Sequence, residues 1–145
     1  MNNHAATVEI LKENDVRVTP QRLAVVDYLE ENHIHPSAEM IFQAIKPRFP
    51  SLSLATVYNT LDVLERAGKV LKISIAGNPK VYFEYNTDFH CHFYCKKCFK
   101  LYDIFIEYPY EYLKVIEDHK IEETNIHFKG TCKDCINNST STDLQ

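Results

Sequence analysis

Of the chain's five cysteines, four fall into two matched pairs, and their spacing is the strongest chemical signal in the sequence. Cys95 and Cys98 sit in Cys-Lys-Lys-Cys, Cys132 and Cys135 in Cys-Lys-Asp-Cys, with roughly thirty residues between the pairs. A Cys-x-x-Cys turn carries two thiolates at the spacing that spans half a tetrahedron around zinc, and a second such turn completes it. A disulfide framework, a redox dithiol or unrelated buried cysteines are the competing readings. Redox motifs rarely come as matched pairs, and the first twenty residues, with Glu9, Glu13 and Asp15, lack the pattern of a secretory leader. The expectation is a structural zinc that holds the last strand of the chain against the strand bearing the first knuckle. Without zinc that half should loosen.

A second cluster surrounds the first knuckle: Glu84, His90, His92 and Asp103, with His35 further upstream. Strand alternation puts His90 and His92 on one face and Cys91 on the other. Two imidazoles on one strand face, beside carboxylates, form a nitrogen and oxygen set that suits ferrous iron, manganese or zinc better than copper(I). A lone histidine is more often a satisfied surface or core residue, but a His-x-His beside a zinc knuckle is not lone. Cys91 stands outside the zinc set, as a small buried hydrophobe or a reactive thiol.

The elements that must position these groups divide the chain in two. Thr7 to Asn14 reads as a short helix with Val8, Ile10 and Leu11 apolar. Thr19-Pro20 starts the next helix, with threonine as N-cap and proline where its missing N–H costs nothing; Leu23, Val26 and Leu29 form its stripe, and it stops near Glu31-Asn32. Ser37 caps a third, with Ile41, Ala44 and Ile45 inward and Pro47 as its end. Ser51 and Ser53 precede a fourth, carrying Leu54, Val57, Leu61 and Leu64 and ended by Gly68. Strands over 70–75 and 80–85, joined by Ala76-Gly77-Asn78-Pro79, complete the outline of a winged helix-turn-helix. In that fold the last helix before the wing enters the major groove. Its outward face offers Ala55, Thr56, Tyr58, Asn59 and Thr60, of which Thr56, Tyr58 and Asn59 are candidates for DNA contact. An ordinary solvated helix face is the bland alternative. Arg17 and Arg22 are candidate phosphate contacts, with Lys69, Lys72 and Lys80 more loosely placed on the wing.

Beyond residue 85 the grammar changes to aromatic and β-branched segments. Residues 89–94, 99–106 and 125–131 read as strands and 110–119 as a helix with Leu113 and Ile116 inward, followed by a mobile polar tail from Ile136. The fold class expected is α+β: a winged helix-turn-helix over 1–83, then a small α/β dimerisation and metal-binding domain over 84–145. No apolar run approaches the length of a membrane span, so a soluble cytoplasmic protein with no membrane partner is expected. The net charge of −4 does not advertise nucleic acid, and any DNA contact must rest on a local basic face.

Taken in order, Thr19-Pro20-Gln21-Arg22, His35-Pro36-Ser37-Ala38, Ser53-Leu54-Ala55-Thr56-Val57-Tyr58-Asn59, His90-Cys91-His92 and the two Cys-x-x-Cys pairs resemble the ferric uptake regulator family of bacterial metal-dependent repressors. The resemblance runs from about residue 8 to 135. It implies zinc at Cys95, Cys98, Cys132 and Cys135, and a regulatory Fe(II) or Mn(II) held by His35, Glu84, His90, His92 and Asp103. It also implies a homodimer on palindromic double-stranded operator DNA, with no small organic substrate and no enzymatic activity. A divalent ion gripping ligands on both domains would fix the angle between the two DNA-binding heads, because half-site spacing is geometric.

Within the family, Asn59 and Asp103 resemble the peroxide-responsive branch, in which bound ferrous iron reacts with peroxide and oxidises His35 or His90, releasing DNA. Glu84 departs from it, since those sensors carry aspartate there, and the iron-responsive branch is the alternative. Some relatives use a histidine eight positions before the third cysteine for an additional metal; here that position is Thr124 and His127 is out of register, so no such site is expected. Two other classes compete. A thiol oxidoreductase wants its motif at a helix start in a βαβ frame and a metal hydrolase wants an open water position. A zinc-ribbon module with no switch would leave the histidine and carboxylate cluster unexplained.

Overall fold

The structure, a computed structural model, describes residues 4–85, 88–107 and 113–140. The chain divides into two compact units, Met1–Thr87 and Asp88–Gln145, so Glu84 belongs to the first.

The first unit contains α1 (His4–Glu13), α2 (Pro20–Glu31), α3 (Ala38–Ile45), α4 (Leu54–Arg66), β1 (Leu71–Ser74) and β2 (Val81–Glu84). Three of the helices begin as their sequences dictate. The hydroxyls of Thr19, Ser37 and Ser53 accept from the backbone N–H of Arg22, Met40 and Thr56 at 3.3, 3.2 and 3.1 Å, each satisfying a donor the helix itself leaves unpaired. α4 ends on Gly68 at φ +70°: Lys69 N–H reaches Leu64 O and Gly68 N–H reaches Glu65 O, both at 2.9 Å, a Schellman closure that needs the left-handed residue. The helices share one apolar core built from Leu11, Val25, Val26, Leu29, Ile41, Val57, Leu61, Leu64 and Phe83 among others.

Two inward–outward assignments change. Ala44 is exposed, because Ala38, Ile41 and Ile45 make up the buried stripe of α3. Thr60, expected on the outward face of α4, is fully buried: it lies three residues from Val57 and four from Leu64, on the core stripe itself. β1 and β2 pair antiparallel with Leu71 opposite Glu84, joined through a turn in which Asn78 N–H donates to Ile75 O at 2.9 Å and Gly77 takes φ +85°.

The second unit contains β3 (Cys91–Cys95), β4 (Leu101–Ile104), β5 (Val115–Ile116), β6 (His119–Lys120), β7 (His127–Gly130) and α5 (Lys133–Thr140). Its main sheet runs β4-β3-β7, with β3 antiparallel to β4 and parallel to β7. Gly130 lets β7 pack closely, since a Cβ there would come within 3.3 Å of the Phe93 ring.

Two sequence expectations fail in this unit. Of the helix expected over 110–119, residues 110–112 lie outside the described segments, and the remainder forms the β5–β6 hairpin. Its turn residues Glu117 and Asp118 take φ +47° and +64°, the left-handed pair of a type I′ turn that a helix cannot contain. The tail expected from Ile136 is helical through Thr140. Among the described residues no helix is long and apolar enough to cross a membrane.

Candidate metal centres and nucleic-acid face

The four paired cysteines converge in the second unit. Cys95 ends β3 and Cys98 follows on the turn; Cys132 stands just past β7, and Cys135 lies in the first turn of α5. Their sulfurs lie within 4.8 Å of one another, and Cys98 Sγ is 3.8 Å from Cys132 Sγ. For Zn–S bonds of about 2.3 Å a regular tetrahedron has an edge of about 3.8 Å, so the spacing fits zinc and is far too long for a disulfide. None of the five cysteines is disulfide-bonded.

The backbone turns donors toward this cluster: Cys98 N–H and Cys132 N–H point at Cys95 Sγ at 3.5 and 3.3 Å. These contacts, with that of Cys98 foremost, hold the Cys95 thiol down at about 6. The Tyr102 hydroxyl donates to Cys132, lowering that thiol and raising its own pKa. Cys135 is pushed up to about 12, chiefly by its thiol's bond to Cys132. Sequence reasoning missed Tyr102, whose role follows from the β3–β4 register and carries no local signature. Cys91 is buried at 0% exposure and lies opposite Ile104.

The same unit gathers His90, His92 and Asp103. Asp103 lies opposite His92 in the β3–β4 ladder, and its Oδ1 is 3.3 Å from His90 Nε2 and 3.6 Å from His92 Nε2. His90 immediately precedes β3. Its Nδ1 lies 2.7 Å from the carbonyl of Asp88, and because a carbonyl only accepts, Nδ1 is the donor there and Nε2 is the nitrogen turned toward Asp103. Both imidazoles are buried. Phe105 stacks on His90 with ring centroids 5.6 Å apart, and His127, paired with His92 across the parallel β3–β7 register, sets its ring 5.7 Å from that of His92. Burial, then the neighbouring His92, lowers the His127 pKa. Thr124 is half-buried in the segment leading to β7.

In the first unit His35 Nε2 is 3.7 Å from Glu84 Oε2, and both residues are more than nine-tenths buried. One backbone bond holds their segments together: Phe83 N–H donates to Pro36 O at 2.9 Å, which sets the end of β2 beside the loop before α3. His35 adopts φ +51°, uncommon for a residue with a side chain. Each unit thus presents buried imidazole facing a carboxylate, buried at Glu84 and half-buried at Asp103, the donor types that a divalent first-row ion takes.

On α4, Tyr58 and Asn59 are exposed and Thr56 half-buried, and Arg17 is exposed ahead of α2. Two contacts here were not legible beforehand. Tyr58 Oη donates to Glu39 Oε1 on α3 at 2.5 Å, which raises the Tyr58 pKa and lowers that of Glu39. Arg22, half-buried, sends one guanidinium nitrogen to Asn59 Oδ1 at 2.8 Å and to Thr60 Oγ1 at 2.9 Å, and desolvation lowers its pKa.

The sequence model of the ferric uptake regulator family matches residues 13–131. The peroxide-responsive repressor PerR of Staphylococcus epidermidis is 35% identical over 136 residues, covering 89% of this chain and 87% of the relative. Among solved structures, the Helicobacter pylori ferric uptake regulator Fur superposes with a TM-score of 0.73 at 21% identity, covering 91% of this chain and 90% of the other; at that identity the likeness is of fold. The Campylobacter jejuni peroxide stress regulator gives 0.62 at 28% identity, covering 88% and 98%.

Proposed function

The chain belongs to the ferric uptake regulator family, and from that premise we propose that it is a metal-dependent repressor that binds palindromic operator DNA as a homodimer and senses peroxide. The observation that carries the reading is the pair of preformed donor groups, His35 with Glu84 and His90 with His92 and Asp103. Three neutral imidazoles and two carboxylates balance one divalent ion, which lowers the cost of burying it. In this reading one Fe(II) or Mn(II) takes all five as ligands and thereby fixes the angle between the first and second units of each subunit.

The first unit reads as a winged helix-turn-helix, with α3 and α4 as its helical pair, β1–β2 as the wing and α4 in the major groove. Thr56, Tyr58 and Asn59 then reach base edges and Arg17 a phosphate. Exposed Phe99, Phe105, Ile106, Val115, Ile116, Phe128 and Ile136 support pairing of two copies through the second unit. The four cysteines hold zinc and keep β3 and β7 together.

Bound ferrous iron would supply the electrons that cleave the peroxide O–O bond. The chain's part is to place oxidisable imidazoles at the ion and to hold the His90 ring in orientation through the bond of its Nδ1 to Asp88 O. Oxygen insertion into the ring of His35 or His90 would destroy a ligand and release DNA. Glu84 favours a second reading: its extra methylene relative to aspartate lets both carboxylate oxygens reach the ion and fill the position peroxide needs, giving an iron-responsive repressor without peroxide sensing.

Retardation of an operator duplex by manganese- and iron-loaded protein, before and after a brief peroxide pulse, separates these. Peroxide sensing requires that only the iron form lose DNA and that His35 or His90 gain an oxygen atom by mass spectrometry. If iron switches DNA binding while both histidines stay unmodified, the iron-responsive reading replaces it. If neither metal alters retardation, the regulatory site itself is refuted.

A further inference from the structure

We propose that Arg22 is a positioning residue that fixes which way Asn59 faces, and so sets a base-pair preference, rather than a phosphate contact; this rests on the reading of α4 as the DNA-reading helix. A guanidinium has only donors, so the Asn59 atom it meets at 2.8 Å must be Oδ1. The choice between the two ends of the amide is settled by chemistry. Nδ2 is therefore the end left to the exposed side, and Asn59 presents a donor.

The second hydrogen of the same nitrogen keeps the arrangement rigid. Arg22 also donates to Thr60 Oγ1 at 2.9 Å, and Thr60, fully buried, donates its own proton to Thr56 O at 2.7 Å. Thr60 has no rotamer freedom to give, so the Arg22 nitrogen is pinned from the core side and Asn59 is pinned from Arg22. A donor at that place on a major-groove helix matches an acceptor on a base edge: purine N7, guanine O6 or thymine O4. It does not match the amino groups of cytosine and adenine. A lysine in place of Arg22 keeps the charge, but its ammonium hydrogens rotate freely on a flexible stem, whereas the two hydrogens of the Arg22 nitrogen are fixed in the guanidinium plane.

Three guanidinium N–H groups remain beyond this nitrogen, so the test measures salt dependence as well as sequence preference. Full-length manganese-loaded protein would select duplexes from a randomised pool. The recovered sequences and the salt slope of binding would then be compared for the wild type, Arg22→Lys, Arg22→Met and Asn59→Ala. The expected result is that all three variants lose preference at the same base pair, from about tenfold discrimination to little or none. The slope of log affinity against log salt stays that of the wild type. A slope reduced by about 2 per dimer in Arg22→Met with every base preference intact would make Arg22 a phosphate contact and overturn the proposal. So would Arg22→Lys retaining the preference that Asn59→Ala loses. A wild-type protein that selects no sequence would overturn the DNA-binding reading along with it.

Discussion

Removing zinc should unfold the second unit and leave the first standing. The two units differ sharply in what they bury. The first packs Leu11, Leu29, Ile41, Leu61, Leu64, Phe83 and further aliphatic side chains out of water, each contributing about 1.5–3 kcal/mol. Among the described residues of the second, the buried side chains are Cys91, Cys95, Cys132, His90 and His92, with no large aliphatic or aromatic residue in the set. A structural zinc contributes on the order of 10–16 kcal/mol, against the roughly 5–15 kcal/mol that holds a whole domain together. Its loss therefore exceeds anything the second unit can supply from apolar burial. Chelation under reducing conditions, and separately Cys132→Ser, should be followed by hydrogen exchange. The amides of His92, Cys95 and Lys96, bonded to Ile126 O, Lys100 O and Gly130 O, should lose protection, while helical amides around Val25 and Leu61 keep theirs. Retained protection at His92 and Lys96 in the zinc-free protein would refute the reasoning, as would equal loss in both units.

Gly68→Ala should cost about 1 kcal/mol by urea unfolding, purely from the left-handed backbone at φ +70°, because an added Cβ meets nothing within 4 Å. The Cys95 thiol is lowered to about 6, below its unfolded value; its stabilising contribution is complete above the ordinary thiol range and is lost as pH falls through about 6. Zinc binding, which requires thiolates, should therefore weaken on acidification through that point, read by competition with a colorimetric chelator. Glu39→Gln should bring the Tyr58 phenol back toward its ordinary pKa in a spectroscopic titration. On the proposed reading of α4 as the helix that faces DNA, it should also strengthen manganese-dependent DNA binding at low salt, because one carboxylate per subunit is removed beside that helix.

What could be read in advance was whatever the chain writes locally. Thr19, Ser37 and Ser53 cap helices because a hydroxyl oxygen needs only the N–H three residues on. The cysteine pairs announce themselves because a knuckle is four residues long. The turn at Glu117-Asp118 was not legible, since it holds no glycine or asparagine, Glu117 is an unusual residue at positive φ, and Leu113 with Ile116 mimics a helical spacing. The helix α5 escaped for a different reason. It lacks an apolar stripe, and Lys97 Nζ on Ser139 Oγ, Ser139 Oγ on Cys135 O and Ile136 N–H on Cys132 O tie it to the knuckle instead. Thr60 was misplaced because a threonine at a core position looks polar until its two hydroxyl partners are known. The link from Arg22 to Asn59 spans thirty-seven residues and could come only from the packed helices.

Both candidate metal centres sit beside a side-chain-bearing residue held in the left-handed region, and the two cases bear on how ligands are kept in place. Phe99, directly after Cys98, takes φ +61°, and its N–H donates to Cys95 O at 2.9 Å, closing the knuckle. His35 takes φ +51° although it precedes Pro36, which drives the residue before it toward extended backbone. Such conformations cost on the order of 1–3 kcal/mol and persist only where the surroundings over-determine them. Around His35 those surroundings are identifiable. Pro36 O is held by Phe83 N–H, Ser37 is committed to capping α3, and Glu84 follows Phe83 directly on β2. The bond that fixes the loop at His35 is therefore also the one that brings Glu84 to it, and an ion meeting this pair would find its geometry already supplied by the loop before α3 and the end of β2. Relaxing the loop would free both candidate ligands together, so the geometry of His35 and Glu84 and the start of α3 are set by a single local constraint.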